Sequence, residues 1–304
     1  MGRQRERGGR SGKISGPDSG FYPIASGTAE LRPDRDNPSA YLLMVNGVES
    51  SHIDLSDPSV LEFEYMRWIA STILDHEQEH PGDPMRVLHL GAAACSLARY
   101  LIHERPRSQH LAVDSDAELA RLVREWFDLP KAPALRIRVG DARAVTQALP
   151  DDSYSVVVRD VFAGAVTPTD LTTGEFTGQV RRVLRTGGLY LLNCADRPDL
   201  NLARAEAATV GAVFEHVSII ADPPMLKGRR RGNVILIGSD APVATAGLAR
   251  DLLGGAVPAQ IWDNRRVREF ARNASPRTDP PRPEPPPDIR SGPQHVIDGG
   301  RTGG

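Results

Sequence analysis

Apolar positions change period along this chain. Between residues 21 and 58 they alternate in short runs, Ala29 to Leu31, Tyr41 to Val45 and Val48 to Leu55. The last two runs flank Asn46-Gly47, and such a pair between alternating runs marks a tight hairpin, because both central turn positions need positive φ. A small antiparallel sheet is expected there. From Ser59 to about His80 the period becomes helical, with Leu61, Tyr65, Trp68, Ile69 and Ile73 recurring at steps of three and four. Beyond it, short β-rich runs alternate with helical stretches: Val87 to Leu90, Leu111 to Val113, Leu135 to Val139, Val156 to Val158, Leu189 to Leu192, Phe214 to Ile220 and Val234 to Ile237. This alternation predicts a largely parallel, seven-stranded α/β sheet with helices on both faces, since parallel neighbours need crossover connections.

The ends follow another pattern. Residues 1–20 are rich in Gly, Arg and Ser and carry Arg3, Arg5, Arg7, Arg10 and Lys13, while 275–304 carry Pro280, Pro281, Pro283, Pro285, Pro286 and Pro287 before a Gly-rich tip. Both are expected to be mobile or extended. The organisation read from the sequence is a basic arm (1–20), a β-hairpin domain (21–58), an α/β domain (59–274) and a tail (275–304).

Composition narrows the function classes. With 304 residues, 40% hydrophobic and 25% charged, the chain can bury a sizeable core. A formal net charge of -2 gives no global electrostatic reason for a nucleic-acid or anionic-membrane partner. Cys95 and Cys194 stand far apart, outside any Cys-x-x-Cys pair, so neither a metal finger nor a disulfide framework is expected. No apolar run approaches the roughly 18 residues of a membrane helix, and no signal-peptide pattern follows the N-terminal arginines. A cytoplasmic protein acting on a small molecule, without a metal, is the expectation.

In open α/β sheets, ligands lie beyond the carboxyl ends of the strands. The run Arg86 to Leu90 leads into Gly91-Ala92-Ala93-Ala94-Cys95-Ser96 and then a helix, a bend whose small side chains and helix N-terminal N–H groups let a ligand approach. Asp114 ends the second run, 23 residues after Gly91, where a carboxylate can accept from both hydroxyls of a ribose. Its neighbour Asp116 reads as a helix cap. Asp141, with Ala142, follows the third run and is placed for an adenine edge; Asp160 follows the fourth. Together they predict a nucleoside pocket.

These residues resemble the spermidine synthases and their relatives. The likeness runs from about Gly27 to Asp279 through Leu43 to Asp54, Leu61 to Tyr65, the Gly91 turn, Asp114, Gly140-Asp141-Ala142, Asp160, Leu171 to Phe176, Gly187-Gly188 and Arg231 to Val234. It implies a Rossmann-like sheet of the S-adenosylmethionine-dependent methyltransferase type with a small N-terminal antiparallel β domain. It also implies a donor that is S-adenosylmethionine or its decarboxylated form, and a homodimer. By resemblance Asp114 holds the ribose, Asp141 and Ala142 the adenine, and Asp160 sits beside the reacting centre.

The chain departs from that pattern at the carboxylates that grip amines. Its Gly91 turn contains no aspartate, Asp160 is followed by Val161, Phe162 and Ala163 rather than by a second aspartate, and Glu64-Tyr65-Met66 stands where a Tyr-His pair is usual. Losing one carboxylate partner of an ammonium costs about 2–5 kcal/mol, so ordinary polyamine recognition is expected to be degraded. His52, Glu64 and Tyr65 are candidate substrate-binding residues, with Glu62 and Glu64 candidate replacements for the missing acids. Cys95 has no His or Asn placed to activate it as a nucleophile, His89 reads as core, and Arg159 reads as a solvated charge. Three functions remain open: aminopropyl transfer to an altered acceptor, methyl transfer from S-adenosylmethionine, and nucleoside binding without catalysis.

Overall fold

Asn46 and Gly47 have φ of 51° and 79°, the left-handed pair that a two-residue hairpin turn requires. They join the last two strands of a four-stranded antiparallel sheet in chain order, β1 (Gly20–Ile24), β2 (Gly27–Pro33), β3 (Ala40–Val45) and β4 (Val48–Asp54). The computed structural model describes residues 16–79, 84–164, 166–243 and 245–281. Arg3 to Lys13, His80 and the prolines from Pro283 onward lie outside the described residues. Strand β1 escapes a reading of alternation because it is short and contains Pro23, which an edge strand tolerates.

The sheet is not free-standing. Its apolar side chains Ala29, Leu31, Leu43 and Ile53 share one buried cluster with Ala94, Ala98, Leu119, Val123 and Trp126 of the larger domain. A four-stranded sheet of this size cannot bury both faces, and packing on the neighbouring helices covers one of them.

The helix that follows, α1 (Glu64–Glu79), starts later than the periodicity from Ser59 suggests. Arg67 Nη1 donates to the carbonyls of Leu61 and Glu62 at 2.6 Å, which holds the preceding segment non-helical. Alternation then proceeds as expected through β5 (Arg86–Leu90), α2 (Ser96–Glu104), β6 (Gln109–Asp114), α3 (Ala117–Trp126), β7 (Leu135–Val139), α4 (Ala142–Ala148) and β8 (Tyr154–Arg159). It continues through α5 (Gly174–Val183), β9 (Leu184–Asp196), α6 (Asn201–Val213), β10 (His216–Ala221), α7 (Pro223–Leu226), β11 (Gly232–Ser239), α8 (Ala246–Gly254), β12 (Gln260–Trp262) and α9 (Asn264–Ala271).

The large sheet has the order β12-β10-β11-β9-β8-β5-β6-β7. Strands β5 to β9 are parallel; β11 is antiparallel to β9 and β10, and the short β12 adds an eighth strand at the edge. The chain runs outward from β5 to β7 and returns to β8 on the other side of β5. That reversal opens a crevice above the carboxyl ends of β5 and β8.

The expected tail is anchored where it begins. Arg277 N donates to Thr209 Oγ1 at 2.9 Å, Gly174 N donates to Arg277 O at 2.8 Å, and Asp279 pairs with Arg143. The prolines concealed this, since the docking is made by the charged residues between them.

Candidate active site

Gly91 sits at φ 85°, and a Cβ there would lie 2.1 Å from the carbonyl oxygen of Asp160. Only glycine lets the end of β5 press against the end of β8 in this way. Ala93 and Cys95 are left-handed too, at φ 40° and 59°, so the turn is costly and must be held from outside. Asp114 Oδ2 accepts from the amides of Ala92 and Ala93 at 3.4 and 3.2 Å, Ser51 Oγ accepts from Ala94 N at 3.1 Å, and Cys95 N donates to Ala92 O at 2.7 Å. The amides from Ala92 to Cys95, which the sequence left available to a ligand, are therefore engaged within the protein.

Above the turn opens a cleft of about 720 Å³. It brings Gly91, Asp114, Asp141, Ala142, Asp160, Glu64 and Tyr65 into one wall system. His52 is not part of it. Its ring is buried, with Nε2 2.9 Å from Asp34 Oδ2, and only its carbonyl reaches toward the site, accepting from Ser96 Oγ at 2.8 Å. The pairing of β3 and β4 shifts register at Ser50, and Glu49, Ser50 and Ser51 reach the lining while the His52 ring turns to Asp34. Glu62 is exposed and outside the lining, whereas Glu64 is inside it.

The aspartates differ in what they already hold. Asp116 caps α3 through Leu119 N and ties Ser26 of the small sheet to the large domain, as its sequence position suggested for a cap. Asp141 caps α4, accepting from Ala144 N at 2.7 Å. Asp114 also accepts from Asp116 N, at 2.9 Å. Asp160 caps nothing. Its Oδ2 accepts from Tyr65 Oη and its Oδ1 from Asn193 Nδ2, both at 2.9 Å.

Burial pushes the Asp160 carboxyl above its ordinary range, against the opposing pull of the Asn193 and Tyr65 hydrogen bonds and the Arg159 charge. Burial, then the Asp160 charge, drives the Tyr65 phenol far upward, so its proton stays on Tyr65. Sequence reading missed Asn193. The available signal is a polar residue inside the apolar run Leu191-Leu192-Asn193-Cys194, and its Oδ1 is buried without a partner among the described residues.

Charge in the cleft is one-sided. Glu49, Glu64, Asp114, Asp116, Asp141, Asp160 and Asp170 contribute seven carboxylates to the lining, and among the described residues no Lys or Arg joins them. Arg159, expected in solvent, is 1% exposed and points away from the cleft into the opposite core. Its guanidinium pairs with Glu206 at 2.7 Å and donates to Leu171 O at 2.5 Å. A charge in a strand that alternates toward the core needs a buried partner, and Glu206, inside the Ala-rich α6, supplies it. Cys95 is buried and its thiol is pushed up to about 12, which removes it as a nucleophile. Among the described residues no group of His, Cys, Asp or Glu is arranged to hold a metal ion.

No family model matches the chain. A probable spermidine synthase from Corynebacterium glutamicum is 47% identical with a TM-score of 0.84, covering 89% of this chain and all of that one. Polyamine aminopropyltransferase from Chromobacterium violaceum is 27% identical over 150 residues, 47% of this chain and 53% of that protein. The chain thus spans about half the length of the curated relatives it matches. Human methyltransferase-like protein 13, solved with SAH, covers 62% of this chain at 23% identity and a TM-score of 0.50, a likeness of fold alone. A mixed α/β fold with an antiparallel N-terminal sheet, the ordered carboxylates at the strand ends and the extent of the Corynebacterium match place this chain in the spermidine synthase-like family.

Proposed function

We propose that this chain is a transferase whose donor is decarboxylated S-adenosylmethionine, and that it passes the aminopropyl group to an amine. The observation that carries this reading is the sign of the cleft: seven carboxylates and, among the described residues, no Lys or Arg. Intact S-adenosylmethionine would bring a further carboxylate among them. Each like-charge contact near 4 Å costs about 1 kcal/mol in water and about 4 kcal/mol at the effective dielectric of a protein surface. The decarboxylated donor carries only the sulfonium and an ammonium, and both are attracted.

In this reading Asp114 accepts from the ribose hydroxyls and the Asp141-Ala142 segment meets the adenine. Asp160 stands at the reacting centre. The acceptor nitrogen attacks the carbon next to sulfur in line, the carbon–sulfur bond breaks, and its electron pair goes to sulfur, releasing neutral methylthioadenosine. Alignment lowers the barrier, while Asp160, its affinity for a proton raised by burial, draws the proton from the incoming nitrogen. Tyr65 and Asn193 fix the carboxylate for that task. Glu64 and Asp170 supply acceptor-side charge from other elements than the aspartate missing after Asp160, which implies an acceptor held differently from an ordinary polyamine precursor.

The test is product identity. The protein is incubated with intact or decarboxylated donor and a series of primary amines, and the nucleoside formed is identified by chromatography. Methylthioadenosine from the decarboxylated donor is expected. S-adenosylhomocysteine from the intact donor would establish methyl transfer instead, and turnover of neither would leave a binding protein.

A further inference from the structure

His89 interrupts the apolar β5 with a polar ring. It is 5% exposed, stands two residues before Gly91, and pairs across the sheet with Val158, itself two residues before Asp160. The residue therefore lies one pleat below the contact between Gly91 and Asp160, and it is among those that line the cleft. Its Nε2 is 2.9 Å from His110 Nδ1, and His110 Nε2 is 2.8 Å from Ser108 Oγ. Ser108 Oγ donates to the Arg105 carbonyl at 2.7 Å.

The far end of this chain fixes the tautomers. A carbonyl only accepts, so the single proton of Ser108 goes to Arg105 O and its oxygen accepts from His110 Nε2. His110 Nδ1 is then a lone pair, and His89 must donate to it from Nε2. That leaves His89 Nδ1 as an acceptor without a proton. Burial keeps both rings neutral, holding His110 down to about 4 and, with the His110 ring adding to it, His89 well below its ordinary value.

We propose that His89 Nδ1 accepts a hydrogen bond from the terminal ammonium of the donor's aminopropyl chain, in place of the aspartate that the Gly91 turn lacks. The inference rests on the donor assignment above and adds the residue that reads the group being moved. The Ala92 to Ser96 turn holds no carboxylate, and an ammonium removed from water needs acceptors. A neutral imidazole locked as an acceptor provides one. It can offer no proton to a carboxylate, so it also disfavours the intact donor. His110 and Ser108 are positioning residues, acting only through the tautomer of His89.

Calorimetry with decarboxylated S-adenosylmethionine and with methylthioadenosine, which lacks the aminopropyl chain, tests this on the wild-type chain and on His89→Leu. The substitution is expected to weaken the decarboxylated donor by about tenfold to a hundredfold, the size of one hydrogen bond to a charged group, and to leave methylthioadenosine unchanged. Equal effects on the two ligands, or none, would overturn the role of His89 while leaving the nucleoside site standing. Failure of the wild-type chain to bind methylthioadenosine would instead remove the nucleoside reading, and this inference with it. Nitrogen-15 NMR of the imidazoles keeps the test open should His89→Leu fail to fold. His89 Nδ1 is expected unprotonated in the free wild-type protein and shifted by the decarboxylated donor, and Ser108→Ala is expected to mix the two tautomers. A protonated Nδ1, or a resonance indifferent to the donor, would overturn the proposal.

Discussion

Tyr65 Oη donates to Asp160 Oδ2 at 2.9 Å, joining the start of α1 to the end of β8 across 95 positions of sequence. With Asn193 on the other oxygen, Asp160 is held by two donors in a site whose burial favours its protonated form.

Removing the phenol exposes this balance. Tyr65→Phe takes away a bond that lowers the Asp160 pKa while burial, which raises it, remains, so the Asp160 pKa moves further up. In the proposed transfer the carboxylate is the active form, and activity is lost as pH falls through its pKa. The acid limb of kcat/KM should therefore shift to higher pH in the variant, with kcat/KM at neutral pH reduced about tenfold or more. A pH–rate profile of both proteins measures it; an unmoved acid limb would separate Tyr65 from Asp160.

Gly91 carries a second prediction. An alanine there meets the Asp160 carbonyl oxygen at 2.1 Å, a backbone atom that no rotamer change can move, and the positive φ adds strain of about 1 kcal/mol or more. Gly91→Ala should lower the midpoint of thermal unfolding and abolish nucleoside binding together. Gly178, inside α5 with nothing within 4 Å of its added carbon, is the control, and Gly178→Ala should leave binding unaltered and raise the unfolding midpoint slightly, since alanine favours a helix interior by about 0.5–1 kcal/mol.

The ion pair of Arg159 and Glu206 supports the site from beneath. Glu206→Leu leaves the Arg159 charge buried and unpaired and should cost about 3–5 kcal/mol, whereas Arg159→Met with Glu206→Leu should recover most of that loss. Denaturant unfolding of the two single variants and the double variant decides it. Additive losses would mean that the pair is not coupled.

How far the sequence reveals this site depends on which contacts are local. Gly91, Asp114, Asp141 and Asp160 follow from the strand period, since each sits where an apolar run ends and a crevice must open. Tyr65 was legible from resemblance, without its partner. Asn193 and Glu206 were not, because their meaning comes from Asp160 and Arg159 many residues away on neighbouring elements. Arg159 was misread for the same reason: a charge beside Asp160 looks solvated until alternation along β8 is known to send the two side chains to opposite faces. His52 failed at the level of a single residue, where the register shift in β4 gave the cleft to Glu49, Ser50 and Ser51. The short β1 and the anchoring of Arg277 were hidden by prolines, which mark a break in regular structure but not whether the chain beside them is packed.

The proposed transfer requires that the carboxylate at the end of β6 hold a ribose. Calorimetric titration of methylthioadenosine into the wild-type chain and into Asp114→Asn tests it most directly, since asparagine retains an acceptor oxygen for the Ala92 and Ala93 amides but cannot receive both hydroxyls of the sugar as an anion. The wild-type chain is expected to bind and the variant, folded at the titration temperature, to lose about tenfold to a hundredfold in affinity, with a somewhat lower unfolding midpoint because the new amide nitrogen stands where Oδ1 accepts from Asp116 N. Equal affinity in the two proteins would contradict the assignment.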